Sequence, residues 1–377
     1  MSSPSPSPIA PARGQSKVDR IALDQHLPAL DGLRALAVLM VITGHFLAYA
    51  LPTRPPKFVL VLASFGGTGV DLFFVLSGFL ITRILLRTRN RPHHLANFYM
   101  RRVLRIFPLY YGFLLVVFVI LPTLGIGEKL PFATQFWYWT YLQNAAMTFL
   151  EIPVETHAWQ AKAHFWSLAV EEHFYMVWPF VASFLPRRQL RWVLLSTIPI
   201  ALATRCALQW GGHQTSYFTL CRIDALALGS LLAVLTEESG VGPSLKRYAM
   251  YATLGILPLG AASFVLLSGS RLPVVQILKD SGTATIYTLV MVLVLALSKE
   301  SPLYRLLASP SLGTIGKYSY GMYVLHWIAI SVYQNINHLF WPPLGWALTV
   351  LAVLLMAMTS WVVLEQPFLR LKKYFEY

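Results

Sequence analysis

The chain has 377 residues, 56% of them hydrophobic and only 12% charged, with a net charge of +14. A soluble domain is about 45–50% apolar and about 25% charged. This chain therefore lacks the charge to cover a water-facing surface, which excludes a soluble globular enzyme, a disordered chain and a coiled coil. What remains is an all-α, polytopic transmembrane bundle. The basic excess reads as cationic loops on an anionic cytoplasmic leaflet, with no need for a nucleic-acid partner.

Residues 1–30 read as a flexible cytoplasmic tail, rich in Ser and Pro and without the apolar core of a signal peptide. Residues 31–377 read as one transmembrane domain. Crossing ~30 Å of hydrocarbon takes about 20 helical residues. Ten runs qualify: 33–51, 70–86, 106–125, 166–186, 192–208, 219–236, 249–268, 283–298, 318–338 and 345–364. An eleventh apolar stretch, 132–149, is crowded with Trp137, Tyr138, Trp139, Tyr141, Gln143 and Asn144. Were it to span, Arg187, Arg188, Arg191 and the C-terminal basic cluster would face outward, against the positive-inside bias. The prediction is therefore ten spans with both termini cytoplasmic and 132–149 lying in the interface. Cys206 and Cys221 flank a short loop; one bridge is conceivable, and free thiols are the simpler reading.

Ionisable residues inside a membrane bundle are functional candidates, because each is costly there. In chain order, the first cluster is Asp31-Gly-Leu-Arg34 with His45 in the same run. Eleven residues at 100° each bring Arg34 and His45 to one face, about 16 Å apart along the axis. Histidine is the side chain suited to moving a proton near neutral pH; a packing histidine is the plainer alternative. Asp71 follows in Gly69-Val70-Asp71, at a depth that His45 can reach, and reads equally as a helix N-cap. Next comes Asn97-Phe-Tyr-Met-Arg101-Arg102-Val-Leu-Arg105 through Tyr110. Arg101 and Arg105 share a face with Arg102 beside them. Guanidinium forks match phosphate, whereas Arg83–Arg91 read as a topology signal.

Ser167, Glu171 and Tyr175 form an i, i+4, i+8 stripe in Phe165-Trp166-Ser167…Glu171-Glu172-His173. The carboxylates there either answer a helix dipole, orient a catalytic histidine, or bind a hydroxylated substrate. Arg222 and Asp224 start another run and do not share a face, so each pairs with another helix. Tyr323 and His326 are i, i+3 neighbours facing the bundle interior. No thiolate or histidine spacing indicates a metal.

Six stretches in order, LDGLRALAVLMVITGHF, GVDLFFVLSGFLIT, NFYMRRVLRIFPLYY, FWSLAVEEHFYMVWP, CRIDALALG and GKYSYGMYVLHW, carry a resemblance over nearly the whole chain. The chain resembles the integral-membrane acyltransferase 3 family, which O-acylates sugars of bacterial envelope polysaccharides or macrolide antibiotics. The resemblance implies a multi-pass protein of the bacterial cytoplasmic (inner) membrane. It implies a cytosolic acyl-CoA donor, with acetyl-CoA the expected one, and a hydroxyl acceptor on a carbohydrate, a polyprenyl-linked sugar or a macrolide. The soluble esterase-like domain that some members append does not follow in these residues, which argues against a two-domain polysaccharide modifier.

The family's Arg and His of the first helix fall on Arg34 and His45, its basic pair on Arg102 and Arg105, and its Trp-Ser-Leu-x-x-Glu on Trp166, Ser167 and Glu171. The expected mechanism places the donor phosphates on Arg101, Arg102 and Arg105, with Arg34 and Tyr110 along the donor path. His45 is the general base, oriented by Glu171 or Asp71. Ser167, Tyr323 or His326 serves the oxyanion, with Tyr175, Arg222 and Asp224 on the substrate side. A proton-coupled transporter or a flippase for lipid-linked sugars is the competing reading.

Overall fold

The computed structural model describes residues 27–51, 55–126, 129–150, 163–239, 247, 250–251, 254–255, 258–260, 262, 270, 272–339 and 341–376. Among these the chain is helical throughout, with no strand. Helix α1 (Pro28–His45) passes directly into a π turn, Phe46–Ala50. Helix α2 (Lys57–Gly67) and α3 (Gly69–Thr88) make one stretch of 32 residues, broken only at Thr68. Helix α4 (His94–Leu115) continues through a second π turn, Val116–Ile120, to Thr123.

Two short helices follow, α5 (Phe132–Trp139) and α6 (Gln143–Phe149). The long elements are then α7 (Trp166–Phe184), α8 (Arg187–Trp210), α9 (Thr219–Ser239) and α10 (Pro273–Ala296). Helix α11 (Pro302–Leu307) leads into α12 (Pro310–Ile336). Helix α13 (Pro342–Ser360), a third π turn (Trp361–Glu365) and α14 (Gln366–Arg370) complete the order. Proline stands in the first turn of α1, α10, α11, α12 and α13, where its missing N–H costs nothing.

Among the described residues, seven helical stretches are long and apolar enough to cross a membrane. Ten were expected from sequence. Helices α7 and α12, of 19 and 27 residues, have the length and fall short in hydropathy, because they carry Glu171, Glu172 and His173 or Lys317, Tyr318 and His326. The expected run 249–268 lies largely outside the described residues. The second run starts earlier than expected, at Lys57 rather than residue 70. Stretch 132–149 is too broken to span: Tyr141 takes φ 58° between α5 and α6. Large apolar side chains lie exposed along α2, α8 and α13, among them Phe58, Trp192 and Leu351. Such surfaces have their solvent in lipid tails, and the chain is a multi-pass membrane protein.

The core brings α1, α3, α7, α9 and α12 together. Gly78 and Gly229 let α3 and α9 meet backbone to backbone, since a Cβ on either would overlap the other helix's carbonyl. Ser230 Oγ seals this seam by donating to the Gly78 carbonyl at 3.1 Å. Cys206 and Cys221 are free.

Candidate active site in the bundle core

Three helices each present one face to a common space. Helix α3 contributes Val70, Phe73, Phe74 and Ser77, helix α7 Ser167, Leu168, Glu171, Glu172 and Tyr175, and helix α12 Ser319, Tyr320 and Tyr323. The spacings are those of one helical face each. Arg34 of α1 and Arg102, Arg105 and Ile106 of α4 complete the lining of a cavity whose empty space, its open mouth included, is about 740 Å³.

Contacts between the stripes order the cavity along its axis. At one end the Arg102 guanidinium lies 5.4 Å from the Tyr175 ring and 5.7 Å from that of Phe98. Arg105 lies 5.5 Å over Trp361, which Lys317 covers at 5.1 Å. In the middle, Ser77 Oγ donates to Glu171 Oε1 at 2.7 Å. At the other end Ser167 and Tyr323 share a hydroxyl hydrogen bond of 2.5 Å, and Phe73 meets Tyr323 edge-on at 6.1 Å. Tyr323 Oη also donates to the His164 carbonyl at 2.8 Å.

Just beyond this second end stand three histidines. His45 and His326 stack with ring centroids 5.0 Å apart and planes 5° from parallel, and His164 lies edge-on to His326 at 4.8 Å. His326 Nδ1 is 2.6 Å from the Tyr323 carbonyl oxygen, and His326 Nε2 is 2.9 Å from His45 Nδ1. A carbonyl can only accept, so the proton of a neutral His326 sits on Nδ1. Its Nε2 then carries the lone pair and accepts from His45 Nδ1–H. The chain of bonds leaves His45 Nε2 with a lone pair. This is the tautomer a general base needs, held by the residue that a carboxylate supplies in hydrolase triads. The π turn begins directly after His45 and widens the helix there, a local feature that recurs at functional sites.

Several expected placements differ from this geometry. Neither carboxylate expected to orient His45 touches it: Glu171 holds Ser77, and the Asp71 carboxylate is bound by Arg222. His326, foreseen as an oxyanion donor, is the hydrogen-bond partner of His45. Arg222 also reaches Asp280 at 2.5 Å, while Asp224 pairs with Arg205 at 2.7 Å and accepts from Ser281 at 2.5 Å. Arg222 and Asp224 thus pair with other helices, as expected, and build a separate ion cluster.

Arg101 turns away from the cavity and donates to the carbonyl oxygens of Lys372 and Phe375. Tyr110 packs under the α5–α6 connection, stacked 4.1 Å from Tyr141 and donating to the Tyr138 carbonyl at 2.8 Å. Burial pushes the neighbouring Tyr138 phenol up to about 12, so it stays neutral. Arg34, Arg102, Arg105, Ser167, Glu171, Tyr175 and Tyr323 do meet around one cavity. Sequence reasoning passed over His164, which no helical stripe marks because it lies in the turn before α7. It also left out Tyr320 and Ser319, hidden in a run of aromatic residues. Among the described residues no group of His, Cys, Asp or Glu is placed to hold a metal ion.

Comparison with known proteins gives the chain a family. The acyltransferase domain of the acyltransferase 3 family matches residues 27–365. The chain is 28% identical over 373 residues to the O-acetyltransferase OatA of Staphylococcus aureus, covering 93% of this chain and 58% of OatA. It is 29% identical over 371 residues to the peptidoglycan O-acetyltransferase OatA of Listeria monocytogenes, covering 91% of this chain and 56% of that relative. The chain thus spans little more than half the length of these two relatives. A search of solved structures finds no significant match. With a family model matching nearly its whole length, the chain belongs to the acyltransferase 3 family and carries its acyltransferase domain.

Proposed function

We propose that the protein moves an acetyl group from acetyl-CoA to a hydroxyl of a carbohydrate acceptor. The observation that carries this reading is a single cavity with three arginines at one end and a tautomer-locked histidine pair beyond the other. Its O-acetyltransferase relatives support the acetyl group and, through the one named for peptidoglycan, a carbohydrate acceptor.

Arg102, Arg105 and Arg34 bind the donor phosphates from the cytoplasmic side. The pantetheine arm runs along the cavity past Glu171 and Ser77, and the thioester lies at Ser167 and Tyr323. His45 and Arg34, about 16 Å apart along α1, stand at a separation that such an arm spans. His45 Nε2 takes the proton of the acceptor hydroxyl as its oxygen bonds to the thioester carbon. The carbon–sulfur bond then breaks, and the leaving thiolate takes the proton from His45. The His326 lone pair on His45 Nδ1–H stabilises the imidazolium between these steps. The Tyr323 and Ser167 hydroxyls, whose protons rest on the His164 carbonyl and on each other, turn toward the developing oxyanion and become its donors.

The experiment is incubation of the full chain, reconstituted in lipid nanodiscs, with radiolabelled acetyl-CoA and a soluble muropeptide or oligosaccharide. Transfer of label, or slow release of free thiol in the absence of an acceptor, is the expected result. Folded protein that neither transfers nor releases acetyl under any acceptor condition sinks the reading and favours transport.

A further inference from the structure

The cavity is polar at its arginine end and in its middle, but the end at Ser167 and Tyr323 has one apolar side. Val70, Phe73 and Phe74 of α3 and Leu168 of α7 line it. Their height follows from the stripes. Val70 lies seven residues before Ser77, about 10 Å along α3, and Ser167 lies eight before Tyr175, about 12 Å along α7. The apolar side is therefore level with the Ser167–Tyr323 pair and remote from Arg102.

Phe74 is the immobile part of this side. It is 1% exposed, with Trp166 edge-on at 5.9 Å and the Arg222 guanidinium 5.9 Å from its ring. Arg222 is in turn clamped by Asp71 and Asp280. A ring backed by a paired, buried cation cannot swing away to admit a longer guest, because the cation would have to leave its carboxylates. The ion cluster that takes no part in the chemistry thus braces one wall of the cavity.

We propose that Val70, Phe73, Phe74 and Leu168 form the seat of the acyl chain and that Phe74, braced by Arg222, is the wall that keeps the chain short. This rests on the acyl-CoA reading above. The thioester carbonyl faces the Ser167–Tyr323 pair, while its alkyl end points to the apolar side, away from the water and the arginines. A saturated chain needs such a surface and no hydrogen-bond partner, and the four side chains offer that.

The test compares thiol release from acetyl-, propionyl-, butyryl- and hexanoyl-CoA by the full chain in nanodiscs. For the wild type, kcat/KM is expected to fall about tenfold or more per added methylene beyond propionyl. Leu168→Ala and, separately, Phe74→Leu are expected to raise the butyryl-to-acetyl ratio about tenfold. Val70→Phe fills the seat and is expected to lower the propionyl-to-acetyl ratio. Leu168→Ala touches no ion pair, so it reports even where a change at Phe74 disturbs folding. Unchanged ratios in Leu168→Ala and Val70→Phe, with acetyl release still measurable, overturn the proposal. So does a wild type that uses hexanoyl-CoA as well as acetyl-CoA. A wild type that releases thiol from none of the four sinks the acyl-CoA reading itself, and the seat with it.

Discussion

Around α9, Arg205 gives all its donors to the chain: to the Cys221 and Ile277 carbonyls, to Ser281 and to Asp224. Arg222 beside it is clamped between Asp71 and Asp280. In the neighbouring cavity, Arg34, Arg102 and Arg105 line open space, and among the described residues no ion pair joins them to a carboxylate. Both regions hold buried arginines contributed by several helices. In the first the carboxylates that satisfy them are part of the fold; in the second, on the function proposed above, the phosphates of a donor supply the anionic oxygen. The contrast teaches which intramembrane charges are fastenings and which are receptors, something that charge and burial alone do not distinguish.

Substitution on either side breaks or sharpens that contrast. His45→Ala is expected to cost about 10²–10⁴-fold in turnover, with membrane insertion and protein level unchanged; near-normal turnover removes His45 from the chemistry. Asp224→Ala leaves Arg205 buried without its carboxylate and is expected to cost about 3–5 kcal/mol of stability. Its signature is loss of folded protein in a thermal or proteolysis assay rather than a changed KM. Arg102→Ala and Arg105→Ala each remove a charged donor worth about 1.5–3 kcal/mol, so the KM for acetyl-CoA is expected to rise about 10–100-fold. A donor KM that stays put returns these arginines to a topological role.

His326→Ala is expected to lower kcat about tenfold or more at constant donor KM. His326→Gln, whose amide oxygen can accept from His45 Nδ1–H, restores part of it; equal loss in both variants means that His326 only packs. The smallest effect belongs to Arg101→Ala. It severs two bonds to the C-terminal segment, worth about 0.5–1.5 kcal/mol each, and leaves the donor KM within about twofold. A large rise there moves Arg101 back beside the phosphates.

Parts of the site were legible along the chain because they lie on single helices. Arg34 and His45, or Ser167, Glu171 and Tyr175, share a face by the arithmetic of 3.6 residues per turn; the second stripe lines the cavity, and the first runs from its lining at Arg34 to the histidines beyond its end. Pairings between helices were not legible. Asp71 sits at a depth compatible with both His45 and Arg222, and only the packing of α3 on α9 through Gly78 and Gly229 decides for Arg222. Arg101 and Arg105 are i, i+4 neighbours, yet the C-terminal segment folding over α4 captures one and leaves the other to the cavity. Aromatic runs also mislead: Tyr110 stands among cavity residues in sequence and packs against α5 and α6 in space.

The apolar excess, the long runs and the helical stripes are local properties, and they determined a helical membrane bundle with a polar interior before any contact was known. That much follows because a chain in lipid has to satisfy its backbone within each helix. Which polar groups close on one another is a matter of long-range geometry. His45 finds His326 across 281 positions, and Asp71 finds Arg222 across 151. A hydrogen bond is decided within a few tenths of an ångström, and only the crossing of the helices sets distances that finely. The tertiary structure therefore decided which arginines are fastened to carboxylates, which line the cavity, and which nitrogen of His45 meets His326.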